Sequence, residues 1–161
     1  MLKYLIVSLL LLTDGFTHVT KLSPNRPQNI LKTGWYYVIE TKNNYGRKLY
    51  KKDEEIYIDP TPIVLVKHVK KIDIENNYLG KPFILFQFDA YGTKAWSAAT
   101  GKAVEDNLHI TKFALVIDDT LVYTPKVETQ ISSGVSTLNR DDFSKEELEQ
   151  FAKRIKSEMD H

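Results

Sequence analysis

Apolar and polar positions alternate where the ordered part of the chain is expected to begin. From Gly34 onward, Trp35, Tyr37 and Ile39 alternate with Tyr36, Val38 and Glu40, and this period of two predicts a strand. Asn43, Asn44, Tyr45 and Gly46 read as a turn. Residues 47–52 and Glu55–Ile58 read as short strands around polar Asp53 and Glu54, and Pro60 and Pro62 interrupt pairing. Residues 63–66 form a short apolar run, and Ile72, Asp73 and Ile74 suggest a further short strand or turn.

The second half is patterned more strongly. Residues 83–88 predict a strand after a turn at 80–82. Asp89 is placed to cap a helix over 91–106, where Tyr91, Ala95, Trp96, Ala99, Ala103 and Val104 form an apolar stripe and Asn107 supplies a stop. Phe113–Ile117 predicts a strand that returns over 121–124 after Asp118 and Asp119, which is hairpin spacing. Residues 127–131 and Val135–Leu138 flank Ser132, Ser133 and Gly134 and suggest two more short strands, with Gly134 meeting a turn requirement. Ser144 and Glu147 form a capping box ahead of Leu148, Phe151, Ala152 and Ile155, and Lys153, Arg154 and Lys156 suit the end of that helix. This order has no regular βαβ alternation. It predicts an α+β fold: a mostly antiparallel sheet holding residues 83–88 and 113–117 together, with two helices packed on one face.

The N-terminus is patterned differently. Lys3 precedes an apolar run over 5–12 that is too short to span a bilayer but of signal-peptide length. Thr13 and Gly15 would allow cleavage before Phe16. Residues 1–15 are therefore expected to be a signal peptide, 16–33 a polar tether carrying Pro24 and Pro27, and 34–161 one domain, with no integral span once the leader is removed. Export to the periplasm or the extracellular space follows.

Composition narrows the chemistry. With 22 basic and 21 acidic residues the net charge is +1, and no long-range attraction for nucleic acid results. Cysteine is absent, which excludes disulfides, thiolate catalysis and Cys-ligated metal. His18, His68, His109 and His161 share no ligand spacing, so no metal or cofactor is expected. The clusters Arg47, Lys48, Lys51, Lys52 and Lys67, Lys70, Lys71 read as solvated faces or protected strand edges. Asp118 with Asp119, and Asp141 with Asp142, are adjacent pairs that fit turns and caps better than a cleft. No nucleophile elbow surrounds Ser132, Ser133 or Ser136. No catalytic residue is expected. Trp35, Tyr36 and Tyr37 are the candidate ligand surface, with Tyr36 facing out.

Four stretches, in order, carry a family resemblance. They are Phe86, Gln87, Phe88 and Asp89 followed by Gly92; Phe113–Ile117 with Asp118, Asp119, Val122 and Pro125; Val127, Ile131 and Gly134; and Phe143, Ser144, Lys145, Glu146, Glu147, Leu148 and Ala152. Residues 83–156 thereby resemble the head subdomain of the first periplasmic loop of the translocation proteins SecD and SecDF. Residues 34–80 resemble it more weakly. Asp119 stands where that family usually has a turn glycine, and Asn139 stands near another such position. No transmembrane helix follows in the sequence, so a freestanding head without a proton channel is expected. The resemblance implies a non-catalytic module that binds polypeptide or an envelope protein. The competing expectation is a small secreted hydrolase whose site is assembled from distant residues, His68 and His109 among them.

Overall fold

A computed structural model of the protein describes residues 29–105 and 112–159. The leader, tether residues 16–28, Asn107, His18, His109 and His161 lie outside the described residues. The described residues form nine strands and two helices: β1 (Gly34–Ile39), β2 (Gly46–Lys48), β3 (Glu55–Ile58), β4 (Val64–Leu65), β5 (Val69–Asn76), β6 (Pro82–Phe88), α1 (Ala90–Glu105), β7 (Phe113–Ile117), β8 (Thr120–Tyr123), β9 (Val135–Leu138) and α2 (Lys145–Met159). A 3-10 turn, Val66–His68, joins β4 to β5.

The α+β class and the antiparallel pairing are observed, but the strands divide into two sheets. One has the order β2-β3-β1-β7-β8, with β4 paired to the start of β1; the other is β5-β6-β9. The expectation that residues 83–88 and 113–117 share a sheet is therefore incorrect. β6 pairs with β5 and β9, and β7 pairs with β1 and β8.

The larger sheet curls until its end strands meet. Leu49 bridges Leu121, and the Tyr50 N–H donates to the Leu121 carbonyl at 2.8 Å. The result is a nearly closed five-stranded barrel, and strand alternation then fills two cores instead of one core and a wet face. Tyr36, Ile56, Ile58, Ala114, Val116 and Leu121 turn inside, joined by Leu31 and Leu49. Trp35, Phe113, Leu115, Ile117 and Val122 turn outward into the main core. The inner face of the small sheet (Ile72, Ile84, Phe86, Leu138) and one side of each helix complete that core: Trp96, Ala99 and Ala103 from α1, and Leu148, Phe151, Ala152 and Ile155 from α2.

Local signals hold up well. Asp89 Oδ1 accepts the Gly92 N–H at 2.7 Å, and the capping box closes from Ser144 N to Glu147 and from Glu147 N to Ser144 Oγ at 3.0 and 3.3 Å. Asp118 and Asp119 turn the β7–β8 hairpin with φ of 49° and 58°. Gly134 has φ of 73°, a conformation glycine reaches without a Cβ clash.

Three local expectations are corrected. β5 has eight residues and is the longest strand among the described residues, not a short strand or turn. Residues 127–131 form no strand, because the Ile131 N–H is taken by Thr100 Oγ1 of α1 at 2.9 Å and Gln130 bonds to Ser97. The tether boundary at 33 lies too late: Leu31 and Thr33 are buried in the domain. The Leu31 N–H donates to Asp119 at 2.8 Å, and Thr33 Oγ1 bonds to Glu158 at 2.7 Å.

Candidate functional site

Closure of the barrel decides the fate of the three consecutive aromatics on β1. Trp35 points into the main core and is 1% exposed. Its ring meets Phe86 and Phe88 edge-on at 5.1 and 4.8 Å, and its Nε1 donates to Ser136 Oγ on β9 at 3.0 Å. Tyr36 was expected to face out. Instead it lies inside the barrel, also 1% exposed, because both faces of this sheet are covered. Its hydroxyl donates to the Lys32 carbonyl at 2.7 Å. Burial, and then the Asp119 charge, push its pKa up to about 12. Trp35, Tyr36 and Tyr37 therefore do not form one exposed surface.

Tyr37 reaches an open groove, while Tyr36 only touches the floor of a separate cleft beside Leu31, Tyr45 and Leu65. Tyr37 is half-buried against Phe113 and lines a cleft of about 400 Å³ with Pro62, Ile63, Ala95, Ala99 and Lys102. The Lys102 ammonium stands 6.0 Å from the Tyr37 ring centroid, and Asp59 is on the lining. The small side chains of Ala95, Ala98 and Ala99 on α1 leave this groove open. Chemically it suits an apolar side chain of an extended chain, with one charge of each sign available. A second cleft, of about 300 Å³, runs between residues 30–33, Leu65, Lys67, Asp118 and Glu158.

The titratable candidates serve as clamps. His68 Nδ1 lies 3.0 Å from Asp89 Oδ2, and its ring stacks on Tyr91 at 4.3 Å. The Gly92 N–H, then the His68 hydrogen bond, hold the Asp89 carboxyl below the usual range. Asp89 thus caps α1, and His68 steadies the capping carboxylate. Arg47 grips Asp119 through Nε and Nη2 at 3.1 and 2.6 Å, fixing β2 to the β7–β8 hairpin, and Asp119 also accepts the Leu31 N–H from the segment before β1. Arg140 donates to the Tyr50 and Val122 carbonyls at 3.1 and 2.7 Å, pairs with Asp142, and lies over the Phe143 ring at 4.4 Å. Its guanidinium holds the Asp142 carboxyl low. Lys51 pairs with Glu147 at 2.7 Å. Among the described residues no group of three or more metal-ligating side chains assembles, and no helix is long and apolar enough to cross a membrane.

The family described as SecDF, P1 head subdomain, matches residues 41–158. The chain belongs to this family. Two solved structures share the fold at 15% identity. A SecDF crystal structure in a super-membrane-facing form aligns over 81% of this chain and 19% of its own, with a TM-score of 0.60. A second, titled for the structure and function of a membrane component SecDF that enhances protein export, aligns over 79% of this chain and 63% of its own, with a TM-score of 0.58. The chain thus spans about a fifth of the first and under two thirds of the second. No curated protein matches its sequence. The SecDF head match begins at residue 41, so it takes in β2 to β5, where the sequence resemblance is weak.

One exposed surface of this SecDF head domain has little signature in the sequence. The β5–β6 hairpin carries Tyr78 and Leu79 at its tip, 94% and 64% exposed. Two large apolar residues inside a polar turn, Asn77 to Gly80, were the available signal. Charged residues on β5 obscured the strand that leads to them.

Proposed function

We propose that this protein is an exported, non-catalytic head domain that holds polypeptide during or after protein export, working on the periplasmic side of the envelope. Residues 1–15 would direct export and the following polar residues would tether the domain. The match to the SecDF head family over residues 41–158 is the observation that carries this reading. The open groove at Tyr37 and Lys102 and the open small sheet add support, since both suit an extended chain better than a small substrate. The non-enzymatic reading draws on the family and on the structural uses found for His68, Asp89, Asp119 and Asp142.

The test joins cell fractionation to photo-crosslinking. A crosslinking residue at Lys102 is expected to capture export clients from the envelope fraction, and N-terminal sequencing should find a shortened mature protein. Capture no better than with a shuffled-sequence control, or a full-length protein confined to the cytoplasm, would remove the proposal.

A further inference from the structure

Beside the Tyr37 groove, the register of the small sheet leaves a second surface open to an extended chain. β6 is the central strand of this sheet. The Phe88 N–H donates to the Gly134 carbonyl at 2.8 Å, so residues 84, 86 and 88 direct their main-chain groups toward β9. The Asn77 N–H donates to the Lys81 carbonyl at 2.8 Å, so Glu75 with Phe83, Asp73 with Leu85 and Lys71 with Gln87 are the hydrogen-bonded pairs of β5 and β6. Alternation then points the N–H and C=O groups of Ile72, Ile74 and Asn76 away from the sheet. Among the described residues no backbone partner from another segment meets them. By the same rule Val135 and Thr137 point outward from β9.

The two open edges are unequal. β9 has four residues, and shortness is one way that proteins blunt an edge. β5 has eight residues and no proline, and its bulge lies at the Val69/Lys71 end, so residues 72–76 run on regularly. Lys71 and Asp73 pair with each other at 2.7 Å, which leaves the strand without a strong charge preference. At the far end stands the hairpin tip. Asn77 Oδ1 accepts the N–H groups of Leu79 and Lys81 at 2.9 and 3.0 Å, and Gly80 closes the turn with φ of 75°. The backbone that presents the exposed Tyr78 and Leu79 is therefore ordered before any partner arrives, which lowers the entropic cost of docking.

We propose that the outer edge of β5 is the docking strand for an extended, largely uncharged polypeptide segment, which adds as a fourth strand and lays an apolar side chain against Tyr78 and Leu79. This rests on the polypeptide-holding reading above. Recognition through main-chain groups would be nearly independent of client sequence, and the tip would add a preference for apolar residues at one end.

The experiment measures fluorescence anisotropy with a short labelled peptide of alternating Val and Thr, and with a twin N-methylated at alternate residues. The proteins are the wild type, Asn76→Pro, Tyr78→Ser and Thr137→Pro, each checked for unchanged folding by circular dichroism. Asn76 is exposed and its N–H faces outward, a position where an edge strand accepts proline. The wild type and Thr137→Pro should bind alike. Asn76→Pro should bind about fivefold more weakly or worse, as expected for losing one main-chain hydrogen bond and the approach to the edge. Tyr78→Ser should weaken binding less, and the methylated twin should not bind. If Asn76→Pro binds like the wild type, the edge assignment falls while the polypeptide-holding reading stands. If the wild type binds no peptide, both fall. If the wild type is a dimer that Asn76→Pro dissociates, the occupant of the edge is a second copy and the proposal is overturned.

Discussion

The barrel and the small sheet solve the same problem in opposite ways. The barrel brings its own ends together, fills its interior with Tyr36, Ile58, Val116 and Leu121, and leaves little main chain unpaired. The small sheet buries one face under α2 and against Trp35 but keeps both edges open and its other face half-exposed around Phe83 and Leu85. Closure gives rigidity and removes a docking edge; an open sheet retains one and depends on its neighbours for support. The lesson is a division of labour: a closed body holds an open one in position.

The bond between the two bodies is the place where that contrast breaks most easily. Trp35→Ala should cost about 3–5 kcal/mol, because it empties the space between Phe86, Phe88 and Trp96. Urea unfolding measures the loss, and a cost below about 1 kcal/mol would mean that the bodies are joined elsewhere. Next comes Arg140→Ala, expected to lose about 2–3 kcal/mol by leaving the Tyr50 and Val122 carbonyls short of a donor. Hydrogen exchange should then quicken at Tyr50, whose N–H closes the barrel.

Asp119 sharpens the contrast at smaller cost. Asp119→Ala should lose about 1–2 kcal/mol with the Arg47 clamp. Asp119→Gly should lose less by about 1 kcal/mol, because φ of 58° suits glycine. Ser144→Ala should cost about 1 kcal/mol through loss of the α2 cap.

The smallest effect per group is acid sensitivity. Asp89, Asp142, Glu146 and Glu147 all have lowered pKa values in the folded protein. A carboxyl lowered on folding contributes stability above its unfolded pKa, and that contribution is lost as pH falls through the folded value. Tm should therefore hold on the neutral side and decline from about pH 4 downward. Arg140→Ala should flatten part of that decline. An equal slope in the variant would show that the Arg140 pairing is not what lowers the Asp142 carboxyl.

Elements specified by neighbours in sequence were legible; elements specified by distant partners were not. The Asp89 cap, the Asp118–Asp119 hairpin and the Ser144 box each need only a few consecutive residues. Membership of one sheet or two depends on which edge a strand finds, and nothing in residues 83–88 or 113–117 encodes that choice. Tyr36 was misplaced for the same reason: alternation tells which residues share a face but not that a barrel will cover both. β5 was shortened because Lys70, Lys71, Asp73 and Glu75 hide its Ile72 and Ile74. The family resemblance survived the error over the sheets because its motifs are local and indifferent to sheet membership. Of the candidate site, Tyr37 reached a groove, while the β5 edge and the Tyr78 tip came only from register and exposure.

The interleaving of the two bodies along the chain has a consequence for how the domain is made and handled. Barrel strands come from residues 34–58 and 113–123, and small-sheet strands from 69–88 and 135–138. No single cut in the gene can release either body intact, and a ribosome emitting the first hundred residues has completed neither. Such a protein should fold late and all at once, with β7 to β9 as the pieces that close both bodies, and a nick in one body should unravel the other.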